Sequence, residues 1–349
     1  MTARVSRSRK FWVKLTNWEF WPFSVLYFPV YFYFTWLAIR CRSFFFFTAA
    51  NPSIEFGGML GEKKSEIFEL IPPQYLPAYQ LIRKGDRTAA ATFAKKIGYP
   101  VIAKPNIGER GNLVEKIADE KALLDYVRRS PLDFLVQELV DYPLELGVFY
   151  CRFPGESTGK VTSIVQKDFL HVIGDGHESV RVLLARSPRA TLQLDFDHPR
   201  FARIMQEVPK KGEKVIVESI GNHCRGTAFL DQSGWADTDF AQAFDQLADQ
   251  IEGFFFGRFD LKCRSIEGMK QLKDFKILEL NGAGAEPGHI YQPGFPLWKG
   301  YQAIFWHLNV LAQISRANKK LGHAYWSFSA GMKKLKAIRS HNRLIQNSQ

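Results

Sequence analysis

Asp260, Glu279 and Asn281 are the residues of this chain whose types and spacing best suit chemistry. Asp260 lies in the apolar run Phe256-Gly257-Arg258-Phe259-Asp260-Leu261, and the other two lie in Ile277-Leu278-Glu279-Leu280-Asn281-Gly282. Carboxylate and carboxamide oxygens are hard donors, the kind Mg²⁺ takes when phosphate oxygens complete its shell. Alternation along a strand predicts that Glu279 and Asn281 share a face while Leu278 and Leu280 turn to the core. Two adjacent strands would then hold one or two metal ions between them, with Arg258 two residues before Asp260.

Positive groups precede this pair of strands in a definite order. The apolar run 99–105 delivers Lys104 just before Asn106-Ile107-Gly108-Glu109-Arg110-Gly111-Asn112. Gly108 and Gly111 let backbone N–H groups approach phosphate oxygens closely, and the lysine adds a point charge. Residues 134–140 read as a strand, Glu145 opens a second one, and residues 161–167 form a third that ends in Lys167. Farther on, Arg225 stands in a polar, glycine-flanked turn. It could hold a carboxylate or a γ-phosphate through two parallel hydrogen bonds, or be a surface arginine in a hairpin loop. The loop Gly282-Ala283-Gly284-Ala285-Glu286-Pro287-Gly288-His289 follows the metal-type residues directly and must lie at the mouth of their site.

In that order the segments resemble the ATP-grasp superfamily, and within it the D-alanine–D-alanine ligases and cyanophycin-synthetase-like carboxylate–amine ligases. The resemblance covers roughly residues 86–298. His171-Val172-Ile173-Gly174-Asp175-Gly176 also resembles a turn of the cyanophycin-synthetase-like branch. The resemblance implies an α+β fold of two lobes that grip ATP. It implies that Lys104 and Lys167 contact the nucleotide phosphates and that the loop from Gly108 to Gly111 closes over them. Gln137, Glu138, Leu139 and Val140 would form the hinge that reads adenine, with Glu145 near the ribose. Asp260, Glu279 and Asn281 would hold Mg²⁺, or Mn²⁺ in its place, while Arg258 and Lys167 would stabilise charge on the transferred phosphoryl group. Substrate contact by Glu286 and His289 is likewise what the resemblance implies. Arg225 joins Arg258 and Lys167 as a catalytic candidate on its own chemistry and not through the resemblance.

The activity so implied is that of an ADP-forming ligase. ATP phosphorylates a carboxylate to an acyl phosphate, which an amine then attacks, so the protein mainly positions groups and stabilises spreading charge. No side chain need act as a covalent nucleophile, and the chain has no Gly-x-Ser-x-Gly elbow. Two other readings stay open: a kinase on the same fold that phosphorylates a small molecule or lipid, and a non-catalytic membrane scaffold that binds nucleotide. The carboxylate, the amine and the oligomeric state are not named by these residues.

The elements that must position the site divide as an arm (1–50), a linker (51–85), an ATP-grasp domain (86–318, with lobes 86–145 and 146–318) and a basic tail (319–349). ATP-grasp ligases usually carry a separate α/β domain before the lysine strand, and residues 1–85 do not read as one. Residues 20–39 are uncharged and rich in Phe, Trp and Tyr, long enough as a helix to cross a bilayer. Pro22 and Pro29 would break or kink that helix, and Trp and Tyr suit the headgroup boundary. Arg4, Arg7, Arg9, Lys10 and Lys14 stand before the run and Arg40 and Arg42 after it. A re-entrant or interfacial hairpin would keep both clusters on one side, and a buried arm packed on the domain or a partner is the competing expectation. A cleavable signal peptide is disfavoured by the length of the run and by its interruption at Arg40 and Arg42.

The formal net charge of +12 and the 14% aromatic content fit a membrane surface, since no nucleic-acid motif accompanies the basic excess. The segment 331–339 reads as a basic amphipathic helix, and Gly57-Gly58 opens a flexible-looking stretch. The four cysteines show no paired spacing, which fits a reducing environment and places the expected enzyme on the cytoplasmic face of a membrane.

Overall fold

The computed structural model describes residues 7–108 and 111–346. Arg4 of the basic start and Glu109-Arg110 in the middle of the glycine loop lie outside the described residues. The smaller of two antiparallel sheets contains β1 (Tyr79–Ile82), β2 (Val101–Pro105), β3 (Glu115–Ile117) and β4 (Phe134–Glu138), in the spatial order β1-β4-β2-β3. Val101, Ala103, Phe134 and Val136 pack with Ala90, Ala94, Leu123 and Tyr126 of two helices, Arg87–Ile97 and Glu120–Arg129. Period-two alternation therefore gives Lys104 and Gln137 to the opposite face. Asp86 and Asp119 begin the two helices by accepting from the N–H groups of Ala89 at 2.9 Å and Ala122 at 2.8 Å.

The larger sheet contains β5 (Leu144–Cys151) and β6 (Lys160–Asp168). A separate two-stranded pair follows, β7 (His171–Ile173) with β8 (Lys214–Ile216). The larger sheet is completed by β9 (Ala228–Asp231), β10 (Phe256–Cys263) and β11 (Phe275–Asn281), in the order β11-β10-β5-β6-β9. On one face Leu146, Val148, Phe259, Leu261 and Cys263 are buried with Phe240, Phe244 and Leu247 of the helix Thr238–Asp249. The other face is divided. At one end Phe149, Cys151 and Phe256 pack with Phe45, Phe46 and Phe47 and with Leu311 and Ile314 of the long helix Leu297–Lys320. At the other end the same strand positions carry Glu145, Gly147, Asp260 and Lys262.

The uncharged run 20–39 does not form one helix. Pro22 N-caps the short helix Phe23–Leu26, and Pro29 occupies the first turn of the helix Phe28–Cys41, where a missing N–H is tolerated. The second helix has 14 residues, a length of roughly 21 Å against a hydrocarbon core of about 30 Å. Among the described residues no helix is long and apolar enough to cross a membrane. Val30, Leu37, Ala38 and Cys41 are buried, so one side of this arm helix packs on the protein.

Asn51 fixes the arm to the larger sheet. Its carboxamide donates to the carbonyls of Gly57 at 3.0 Å and Phe256 at 2.8 Å, and accepts from the N–H groups of Phe255 and Phe256, both at 2.9 Å. The glycines after it are packed rather than free. Gly57 and Gly58 have φ of +66° and +73°, and a Cβ on Gly58 would lie 2.7 Å from Gly282 Cα. Their carbonyls accept from Ala283 N and Gly284 N, each at 2.9 Å. The C-terminal helix Phe328–Gln346 docks beside this stretch, with Lys334 Nζ 2.6 Å from Glu55 Oε2 and 2.9 Å from the Gly61 carbonyl.

Phe46 is fully buried and Phe44 is 48% exposed. Phe46→Ala should destabilise the protein by about 3–5 kcal/mol, whereas Phe44→Ala should stay within about 0.5 kcal/mol. Urea unfolding of the two variants checks this, and equal losses would mean that the arm does not cover the sheet as described.

Candidate active site

Strands β10 and β11 pair so that Asp260 lies opposite Glu279 and Arg258 opposite Asn281. The register slips between Asp260 and Leu261, which makes Leu278 the extra residue of a bulge. Leu278, expected in the core, is therefore only partly buried, and Ile277 takes the core position instead. The Leu278 carbonyl accepts from Lys104 Nζ at 2.9 Å, so the bulge is where the lysine of the smaller sheet reaches the larger one. Gly147 of β5 lies opposite Asp260, and a Cβ there would stand 3.3 Å from Asp260 Oδ1 and 3.4 Å from Arg258 Cδ.

A chain of alternating charges runs across the sheet. Asp260 Oδ2 accepts from Arg258 Nη2 and from Asn281 Nδ2, both at 2.9 Å. Its Oδ1 is 3.0 Å from Lys167 Nζ, which is in turn 3.1 Å from Glu145 Oε1. Burial opposes the charge of Asp260, but Arg258 and Lys167 outweigh it and hold the carboxyl at about 2. Burial likewise opposes the charge of Lys167, yet Asp260 and Glu145 raise it to about 12. Lys104 differs: burial pushes it down to about 7 against the attraction of Glu279, with Lys64 adding to the fall.

Lys64 is a site residue that the sequence did not disclose. It sits in the first turn of the helix Lys64–Leu70, with Nζ 2.7 Å from Glu279 Oε1 and 3.0 Å from the Gly108 carbonyl to which it donates. Burial works against the charge of Glu279, and Lys64 is the largest group that keeps its carboxyl below the usual range. The Glu279 side chain still keeps 36% of its surface accessible, so it faces an opening. Only the pair Lys63-Lys64 ahead of an amphipathic helix hinted at this position, and such pairs usually mark a solvated helix start.

The hinge segment lies where the two sheets meet. Gln137 is buried, and its Oε1 has no hydrogen-bond partner among the described residues. Glu138 exchanges hydrogen bonds with Ala78, Leu139 is half-buried, and the Val140 carbonyl accepts from Lys262 Nζ at 3.1 Å. Lys262 stands 3.9 Å from Glu145 Oε2, which joins the hinge to the charged row.

Arg225 is brought to the glycine loop rather than to the carboxylates. Its Nη2 donates to the Gly111 carbonyl at 2.7 Å, and its guanidinium lies 3.8 Å from Glu218. His289 is also apart from the charged row: its ring lines a depression of about 500 Å³ with Thr162, Trp306 and His307. Glu286 stands between these regions. Its carboxylate accepts from the hydroxyls of Tyr27 and, at 2.7 Å, Tyr291, while its backbone carbonyl accepts from Arg258 Nη1 at 3.2 Å. Burial pushes its carboxyl up to about 7 against the Tyr291 hydrogen bond. Tyr27 belongs to the arm, as does Glu19, which is 2.5 Å from Arg189 Nη2 and 3.1 Å from His223 Nε2. Neither carried a signal in the sequence.

Among the described residues no three His, Cys, Asp or Glu side chains gather as a metal cluster. Two carboxylates and a carboxamide do gather, and that is a donor set Mg²⁺ accepts when phosphates supply the remaining oxygens. Glu279, which faces the opening, and Asp260 opposite it fit such an ion.

Asp260→Asn removes the anion shared by Lys167 and Arg258 and should cost about 3–5 kcal/mol. Because the folded carboxyl is held below its unfolded value of about 3.9, its stabilisation is full above that value and is lost as pH falls toward about 2. Unfolding free energies measured between neutral and acid pH should therefore fall more steeply for the wild type than for the variant. Parallel curves would disprove the pairing.

No family model matches the chain, and no curated protein matches it. Solved structures are similar to it. A bifunctional glutathione synthetase from Pasteurella multocida is 12% identical over 69% of this chain and 35% of that one, with a TM-score of 0.34. A D-alanine–D-alanine ligase from Bacillus anthracis is 13% identical over 74% and 69%, with a TM-score of 0.39. VanG D-Ala:D-Ser ligase from Enterococcus faecalis is 14% identical over 72% and 61%, with a TM-score of 0.41. The chain thus spans about a third of the length of the glutathione synthetase.

Proposed function

We propose that this chain is an ATP- and Mg²⁺-dependent ligase that activates a carboxylate as an acyl phosphate and joins it to an amine. The observation that carries the reading is the reach of Lys104 from the smaller sheet to the Leu278 carbonyl, beside Glu279 and the row Arg258-Asp260-Lys167-Glu145. Cations from two lobes then converge on carboxylates at one place, as a polyphosphate with its metal ion requires. Lys104, Lys64 and Lys167 would bind phosphate oxygens, and Gln137 Oε1 would accept from the adenine amino group. Asp260, Glu279 and Asn281 would hold Mg²⁺, which neutralises phosphate charge when bound. Arg258 would stabilise the γ-phosphoryl group as a carboxylate oxygen attacks it and its bond to ADP breaks. Attack of the amine nitrogen on the acyl carbon then expels phosphate.

We propose further that one substrate is lipid-borne or a cell-envelope precursor, met at the cytoplasmic face of a membrane where ATP is supplied. The support is positional: the arm, with its aromatic surface, contributes Tyr27 beside Glu286. Detergent-solubilised protein with Mg-ATP, screened against amino acids and lipid extract, should release free phosphate that depends on an added substrate and on Asp260. ADP without free phosphate would replace the ligase with a kinase, and nucleotide binding without ADP would leave a scaffold.

The lysine held at about 7 gives a second check. Phosphate beside Lys104 favours its charged form, so ATP binding at pH 8 should take up close to one proton and at pH 6 almost none. Calorimetry in buffers of different ionisation enthalpy reads this uptake, and Lys104→Met should abolish it. Uptake that is unchanged in the variant would place the phosphates elsewhere.

A further inference from the structure

We propose that the outward face of the arm helix Phe28–Cys41 is a docking surface for an anionic lipid bilayer, lying in the plane of that surface. The proposal rests on the reading above only in taking lipid to be where the substrate is met. Phe28, Tyr31, Phe32, Trp36 and Ile39 are 62%, 52%, 65%, 44% and 71% exposed. Their spacing puts them on one side of a helix whose other side is buried in the protein. Five large side chains on one stripe, four of them aromatic, form a patch that a soluble surface rarely leaves open.

Packed rings link this helix to two further exposed aromatic side chains. Phe34 touches Phe44, Phe44 touches Phe45, and Phe45 touches Phe328 at the start of the C-terminal helix, with ring centroids 5.9, 5.3 and 5.9 Å apart. Phe44 and Phe328 are 48% and 67% exposed, and Met332, one turn beyond Phe328, is 42% exposed.

Charge decides what covers the patch. Before Glu55 the chain has seven basic residues and one acidic residue, and after Glu286 it has nine basic and no acidic residues. Between them, 31 basic residues face 34 acidic ones, so the whole positive excess lies in the two ends of the chain. Those ends meet at Phe45 and Phe328. The one acidic residue of the arm, Glu19, is buried against Arg189 and His223. Arg40 and Arg42 are exposed, and the Arg40 guanidinium lies 4.7 Å from the Trp36 ring. A second copy of the chain would bring like charges together. Anionic headgroups over an apolar layer match both the charge and the aromatic stripe.

The test is flotation of the full chain, without nucleotide, on phosphatidylcholine vesicles with and without phosphatidylglycerol. Binding should require phosphatidylglycerol and weaken as salt shortens the Debye length. Arg40→Gln with Arg42→Asn should weaken it roughly 30-fold at low salt, and Phe32→Ser with Trp36→Ser by about an order of magnitude or more. Thermal midpoints equal to that of the wild type show that these surface variants fold. Absence of binding at low salt, or binding unchanged in the aromatic variant, would overturn the proposal. So would a wild-type dimer in sedimentation equilibrium that dissociates in the aromatic variant, since a second copy would then cover the face. Vesicle binding without Asp260-dependent phosphate release would refute the ligase and leave the docking surface standing, and the reverse result would do the opposite.

Discussion

The arm and the site depend on one buried carboxamide. Asn51 offers two donors and an acceptor, and all are used on backbone groups that would otherwise be orphaned: the carbonyls of Gly57 and Phe256 and the N–H groups of Phe255 and Phe256. Burying such a group is tolerable only when it is fully paired. Full pairing fixes the entry of β10 against the end of the phenylalanine run. From β10 the constraint passes to Arg258 and Asp260 within the same strand. From Gly57 and Gly58 it passes to Ala283 and Gly284, just beyond Asn281. A shift of the arm would therefore disturb both strands that carry the metal-type residues.

The charged row follows from what the rest of the sheet leaves uncovered. Phe149, Cys151 and Phe256 occupy the same face as Asp260 and Glu145, and the phenylalanine run covers the apolar end of it. Glu145, Lys167, Asp260 and Arg258 form a nearly dry sequence of opposite charges, in which each ion pairs with the next. Such pairing barely repays the cost of taking ions from water, so a row of this kind is weak as a device for stability. Lys104 makes the point more sharply. It is a buried cation whose attraction to Glu279 is shared with Lys64 and does not offset its burial. An anion with several oxygens would relieve that imbalance, which is why the proposed function sets a phosphate beside this lysine.

Legibility in the sequence followed the range of each interaction. The strands of the site were readable because period-two alternation and their charged ends are local properties, and Lys104, Lys167, Asp260 and Glu279 came with them. The bulge at Leu278 was not, because its cause is the pairing of β11 with β10 rather than anything in Ile277-Leu278-Glu279. The role of the arm was half readable. Pro22 and Pro29 predicted broken helices, as observed, but hydrophobicity alone cannot say which Phe or Leu the protein covers. The structure divides them: Leu37 and Phe46 are buried in the protein, while Phe32 and Ile39 are exposed. Lys64, Glu19 and Tyr27 were invisible, since each meets its partner only across long sequence separations.

The two faces of the arm helix are one residue apart at its start. Tyr27 turns inward to Glu286, and Phe28, its neighbour in the chain, is 62% exposed. Phe23, itself 46% exposed, stacks on the Tyr27 ring with centroids 4.1 Å apart. A contact made on the outer surface therefore bears on a ring that touches the candidate site directly, without an intervening layer. Behind Tyr27, the Glu286 backbone carbonyl accepts from Arg258, which joins that loop to Asp260.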